Sequence, residues 1–133
     1  MVTSKNKISQ HISIYEASCR CGCGQCYRVP AILVMYENFR SMLKDIMGYE
    51  IFCPIHCINR CKDHNAAVGG SDHSLHLVGS ACDLHARKMP IKLLHEIAID
   101  RHKQKKILTG GLGVYDWGVH VDIGAYRFWD ERG

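Results

Sequence analysis

The stretch Gly110-Gly111-Leu112-Gly113-Val114-Tyr115-Asp116-Trp117-Gly118-Val119-His120-Val121-Asp122-Ile123-Gly124 decides how this chain reads. From Val119 to Ile123 apolar and polar residues alternate, the period of a strand whose faces meet different surroundings. Val119, Val121 and Ile123 point one way, into a core; His120 and Asp122 point the other, onto an open face. Gly113 to Tyr115 reads as a second strand, joined to the first by a tight connection.

Upstream, Ala81 to His85 reads as a strand with Ala81, Asp83 and His85 on one face and Cys82 and Leu84 on the other. Residues 30–47 carry the clearest helix. Ile32, Met35, Tyr36, Phe39, Met42, Leu43 and Ile46 recur at helical spacing, with Pro30 in the first turn and Gly48 as the stop. Pro90 to about Lys105 is a second helix, with Ile91, Leu94, Ile97 and Ala98 on one face. Shorter elements are expected as strands at His11–Tyr15 and Tyr49–Phe52, and as a helix over 61–68 ending at Gly69-Gly70. Residues 19–27 form a Cys/Gly loop after a polar lead-in. Short strands and two helices without a βαβ rhythm predict an α+β fold, a small antiparallel sheet with helices packed on it. The 133 residues, with no repeat or linker, fit a single domain over 1–133.

Composition narrows the function classes. Hydrophobic residues make up 47% and charged residues 23%, ordinary for a globular chain. The net charge of +4 is spread along the sequence, with no basic, aromatic-laced face, so nucleic acid is not the expected partner. The local run Arg101, Lys103, Lys105 and Lys106 suits a solvated helix end. The longest apolar run, Ala31 to Tyr36, is far too short to span a membrane, and the first fifteen residues lack a signal peptide's apolar stretch. The expected product is a soluble protein made in the cytoplasm.

Eight cysteines are many for such a protein. Cys19, Cys21, Cys23 and Cys26 crowd into eight residues; Cys53, Cys57 and Cys61 recur every four; Cys82 stands alone. Without an export signal, disulfides are not the default. Cys23-x-x-Cys26 has knuckle spacing, and Cys19 and Cys21 complete a possible four-thiolate zinc site. Four ligands in so short a run strain a tetrahedron, so Cys53, Cys57 or Cys61 is an alternative source of one. Buried thiols and disulfides formed after release from the cell are the competing readings.

A second group of donors lies in Ser74-Leu75-His76-Leu77-Val78-Gly79-Ser80-Ala81-Cys82-Asp83 and His120-Val121-Asp122. Two imidazoles and two carboxylates suit zinc with one coordination position left open, the arrangement of catalytic rather than structural zinc. Spacing alone does not single out His76, Asp83 and His120 among nine histidines. Each taken alone reads as a surface or hydrogen-bonded core residue, or as a cap.

These segments resemble the zinc D-alanyl-D-alanine peptidase family of peptidoglycan-cleaving enzymes, which includes phage L-alanyl-D-glutamate endolysins. The family pattern S-x-H-x-x-G-x-A-x-D stands complete as SLHLVGSACD. Arg60, His64-Asn65 and Gly69-Gly70 follow the family's upstream order, and the Gly-rich strand pair ending in His120-x-Asp122 follows its downstream one. The closing Tyr126-Arg127-Phe128-Trp129 and the Cys-rich opening are also similar to members, so the resemblance covers nearly the whole chain.

The resemblance implies a zinc metallopeptidase acting on peptidoglycan stem peptides, as a carboxypeptidase or an endopeptidase, on the cell wall after phage-assisted release. It implies His76, Asp83 and His120 as zinc ligands, Arg60 as the grip on a substrate carboxylate, and Ser74 as a substrate contact. Many members carry a Glu or Asp three residues before the last His, others a His two before it. Trp117 and Gly118 stand there in this chain. Asp122 is then the preferred proton acceptor, by side-chain direction, ahead of Asp116; its other role is to orient His120. Cys57-Ile58-Asn59 replaces the family's Ser-Gly-Tyr, and Ile58 follows the family backbone only where the angles do not demand glycine. The rival reading is a zinc-containing wall-binding or phage structural module without catalysis.

Overall fold

The computed structural model describes residues 6–107 and 110–133. Helix α1 spans Ile14–Ala17, α2 Pro30–Met47, α3 Lys62–Ala67 and α4 Ile91–Lys103. The strands are β1 Ile55–Cys57, β2 Ala81–Leu84, β3 Gly111–Tyr115, β4 Gly118–Asp122 and β5 Arg127–Asp130. They form one five-stranded sheet in the order β1-β2-β4-β3-β5. The fold is α+β, around one hydrophobic core.

Strand alternation sorts the sheet into two faces. Cys82 and Leu84 of β2, Leu112 and Val114 of β3, and Val119 and Val121 of β4 are fully buried on the core side. Ile32, Met35, Tyr36, Phe39 and Leu43 of α2, with Leu94 and Ala98 of α4, complete that core. Met42 is only partly buried and Ile46 is exposed, so the buried stripe of α2 is narrower than its periodicity predicts. The Tyr36 hydroxyl, buried with the stripe, donates to the Cys53 carbonyl at 2.6 Å. Two buried histidines of α4 fasten β3 at both ends: His95 Nε2 donates to the Tyr115 carbonyl at 2.7 Å and His102 Nε2 to the Gly110 carbonyl at 3.2 Å.

The strands expected at 81–85, 113–115 and 119–123 and the helices at 30–47, 61–68 and 90–105 all form, within a residue or two at most ends. Three expectations are corrected. His11–Tyr15 is not a strand. Ser13 caps a helical turn instead, its hydroxyl accepting from the Glu16 amide while Glu16 reaches back to the Ser13 amide. This S-x-x-E box outweighs the β-branched residues around it. The strand expected at Tyr49–Phe52 lies further on, at Ile55–Cys57. The Phe52 and Pro54 carbonyls accept from the Arg87 and His85 amides, but Pro54 has no backbone hydrogen to return to a ladder. Finally, the sheet is mixed: β1 to β4 pair antiparallel as expected, but β5 lies parallel to β3. The chain leaving β4 passes over the start of β3 in residues 123–126, enough to step two strand spacings of about 4.8 Å.

The face opposite the core carries Asp83, His120 and Asp122. Register sets Asp83 directly opposite His120, and Ala81 opposite Asp122. On the other side of β4, His120 faces Gly113 and Asp122 faces Gly111; β5 then brings Trp129 beside Gly113 and Arg127 beside Gly111.

Candidate metal centre

His76 comes from a single 3-10 turn, Leu75–Val78, that precedes β2. Ser74 caps this turn, its hydroxyl accepting from the His76 amide at 3.3 Å. The His76 ring is 3% exposed and donates Nδ1–H to the Ile58 carbonyl at 3.1 Å. A carbonyl only accepts, so Nδ1 carries a hydrogen and Nε2 is the nitrogen left to face a metal. Nε2 lies 3.1 Å from Asp83 Oδ1, yet it is buried without an aligned hydrogen bond. Ile58, where the family has glycine, is fully buried with an ordinary backbone angle, so the substitution is accommodated without strain.

His120 lies between two carboxylates. Its Nε2 is 2.8 Å from Asp122 Oδ2 and its Nδ1 is 2.8 Å from Asp83 Oδ1. Asp122 is completely buried and heavily engaged. Oδ1 accepts from the Gly111 and Gly124 amides, both at 3.0 Å, and from Arg127 Nη1 at 2.9 Å; Oδ2 accepts from Arg127 Nη2 at 2.7 Å. Gly111 makes this approach possible, because a Cβ there would stand 2.6 Å from the carboxylate and from the Arg127 guanidinium. With Asp122 held as an anion, His120 donates Nε2–H to it and turns Nδ1 toward Asp83.

The donor set fits a divalent cation. His76 Nε2, Asp83 Oδ1 and His120 Nδ1 converge, and all three lie within 4.8 Å of one another. Each imidazole commits its outer nitrogen to a fixed oxygen, the support that metal-bound histidines have. Without a metal, protons must take its place. Burial alone would lower His76, but Asp83, with Cys57 nearby, lifts it to about 10. His120 is raised against burial by Asp122 and Asp83, although His76 opposes it. Burial raises both carboxylates, but His120 and His76 hold Asp83 well below the usual range, and His120 and Arg127 do the same for Asp122. Both shifts favour the charged imidazoles, so a metal ion binding here would compete with protons.

A cleft of about 520 Å³ opens above the cluster. Arg60, Ser74, Tyr115, Trp117 and Arg127 line it with the three donors. Asn65, itself buried, holds the Arg60 guanidinium through Oδ1 at 3.0 Å. Trp117 stacks on Tyr115, the ring centres 4.9 Å apart, in the place where many members carry a carboxylate. Asp116 points away, accepting from the Gly133 amide. Sequence reading gave no role to Arg127, Tyr115 or Trp129. Trp129 lies 5.1 Å from the His120 ring and donates to the Tyr115 hydroxyl at 2.7 Å. The two-residue spacing of Arg127 and Trp129 is the one sequence signal that could have marked β5.

The thiols regroup relative to expectation. Cys19, Cys21 and Cys23 gather with Cys61, whereas Cys26 turns toward the Ile14 carbonyl, 3.9 Å away. Cys53, Cys57 and Cys82 are buried elsewhere, in or beside the core.

This α+β scaffold brings two histidines and an aspartate together beside one sheet face, a donor set that could hold a metal ion. The family model described as Peptidase M15 matches residues 10–122, and the chain belongs to that family. No curated protein matches it. Among the described residues, no helix is long and apolar enough to cross a membrane.

Proposed function

We propose that this protein is a zinc-dependent peptidase that hydrolyses a peptide bond in peptidoglycan stem peptides. The observation that carries the reading is the convergence of His76 Nε2 and His120 Nδ1 on Asp83 Oδ1, with both outer nitrogens already committed. These three side chains would hold zinc, with the open cleft on the remaining side. When bound, zinc supplies a Lewis acid that polarises a carbonyl and acidifies water.

The other residues position the reaction. Arg60, steadied by Asn65, presents its guanidinium to a substrate carboxylate, which a planar fork of donors can grip bidentately. Ser74 sits at the cleft wall, where its hydroxyl can meet the substrate backbone while capping the His76 turn. Asp122 was expected either to accept the proton of the attacking water or to orient His120. Its contacts support orientation: both oxygens are engaged, and it is fully buried under the ring it holds.

Digestion of purified sacculi, read by mass spectrometry of released peptides, tests the proposal. Zinc-loaded protein is expected to release stem-peptide fragments, and His76→Ala to release none. Identical product patterns from both proteins would sink the reading. One observation favours the rival, a non-catalytic wall-binding module: Asp83 and Asp122 are the only carboxylates among the described residues lining the cleft. Stoichiometric zinc with no sacculus cleavage is the outcome that selects it.

A further inference from the structure

We propose that Cys19, Cys21, Cys23 and Cys61 form a second metal site, a closed four-thiolate zinc that fastens the N-terminal loop to the wall of the cleft. The four sulfurs lie within 4.8 Å of one another, and all eight cysteines of the chain are free thiols. Cys19 Sγ is 3.4 Å from Cys21 Sγ, and Cys21 Sγ is 3.6 Å from Cys61 Sγ. With Zn–S bonds of about 2.3 Å, tetrahedral sulfurs stand about 3.8 Å apart. The cluster is therefore close to the spacing a zinc ion would impose.

The backbone around the sulfurs supports thiolate character independently of their spacing. The Cys61 amide donates to Cys19 Sγ at 3.2 Å, and the His64 amide donates to Cys61 Sγ at 3.3 Å. Such N–H donors stabilise a charged acceptor more than a neutral one. The sequence objection, that one tight run strains a tetrahedron, is met in two ways. Gly22 and Gly24 take left-handed angles, φ 84° and 88°, which fold the run back on itself. The fourth ligand comes from outside the run, at the start of α3, and Cys26 is released from the set.

The site's position gives it a role. Cys61 directly follows Arg60, and Gln25 at the end of the same loop donates from Nε2 to the carbonyls of Arg60 and Leu77, both at 3.2 Å. Arg20 extends the attachment, donating to the carbonyls of Ile55 and His56 in β1. Four protein thiolates leave no open position, so the ion acts as a structural staple. It would fix the backbone that carries the substrate-gripping arginine.

Zinc content by elemental analysis and cobalt substitution read by absorption test this on the whole chain, prepared under reducing conditions. The wild type is expected to bind about two equivalents of zinc, and the His76→Ala variant about one. That variant, with the other centre disabled, should keep intense sulfur-to-cobalt charge-transfer bands. Cys61→Ser and Cys21→Ser should each lose those bands and one equivalent of zinc, while Cys26→Ser keeps both. Cys21 is exposed, so its variant reports even where Cys61→Ser fails to fold. Absence of the bands from His76→Ala cobalt protein overturns the site, as does their loss in Cys26→Ser with retention in Cys61→Ser. Because His76→Ala removes the other centre, failure here and failure of the peptidase reading are separable.

Discussion

Asp122 shows how one residue's contacts discriminate between roles. As the orienting partner of His120, its replacement by Asn should weaken zinc binding by about 10–100-fold, the usual cost of losing such a support. Competition with a chromophoric chelator measures this directly. Unchanged zinc affinity with abolished hydrolysis would instead make Asp122 the proton acceptor. The linked protonations of the same cluster predict a pH signature. His76 is charged in the folded protein where a free imidazole is neutral, so its contribution is complete below 6.5 and fades as pH climbs through about 10. Asp83 behaves oppositely, complete above 3.8 and lost as pH falls toward its depressed value. The metal-free protein should therefore be most stable between those ordinary values and lose stability in mild alkali. Added zinc, which competes with the protons, should raise the melting temperature more at about pH 8 than at about pH 5. Equal zinc-induced shifts at the two pH values would contradict the proton-for-metal exchange. Of this cluster, the residue types and the strand face were legible in the sequence. The Ile58 carbonyl and the Arg127 guanidinium were not, since both reach the site through folding rather than proximity in the chain.

Among the elements, legibility followed the strength of local signals. α2 was plain because its seven expected apolar positions obey one helical period, and β4 because it alternates without a break. α1 was missed where a capping box of two residues prevailed over a short β-branched stretch. β5 was not expected as a strand, and nothing local distinguishes one that adds parallel to β3 from one that forms a hairpin. Its placement matters, since it delivers Arg127 to Asp122 and Trp129 to His120. Gly111 is the point where β3, β4 and β5 meet at the site. Gly111→Ala should push the Asp122 carboxylate and Arg127 apart, destabilising the fold by about 1–3 kcal/mol, the range for overpacking a tight site. Zinc affinity should fall in parallel, because the same carboxylate steadies His120. A variant with unaltered urea midpoint and zinc affinity would show that the strand can shift to make room.

For the whole molecule, the candidate zinc would join β4 to a segment distant from it in sequence, the 3-10 turn and β2. Chelation should lower the melting temperature reversibly. At a hundredfold excess of zinc over its Kd the gain from binding is about 2.7 kcal/mol. Calorimetry with and without chelator checks it, and an unchanged transition would argue against a native metal centre. Overall class and single core were readable because hydrophobic period and length constrain them strongly. The gathering of Cys61 with the N-terminal run was only one of several options, since loop paths are set by glycine angles and docking contacts that no pattern records.

The two α4 histidines bear on a weakness built into β3. Gly111 and Gly113 present no side chains on the site face, and glycine-rich strands define their pairing alignment poorly. His95 at one end and His102 at the other hold the Tyr115 and Gly110 carbonyls from a neighbouring helix. A slip of β3 along β4 would break both anchors at once. They act as end stops, so a strand left bare to admit a carboxylate and an indole still has only one resting place.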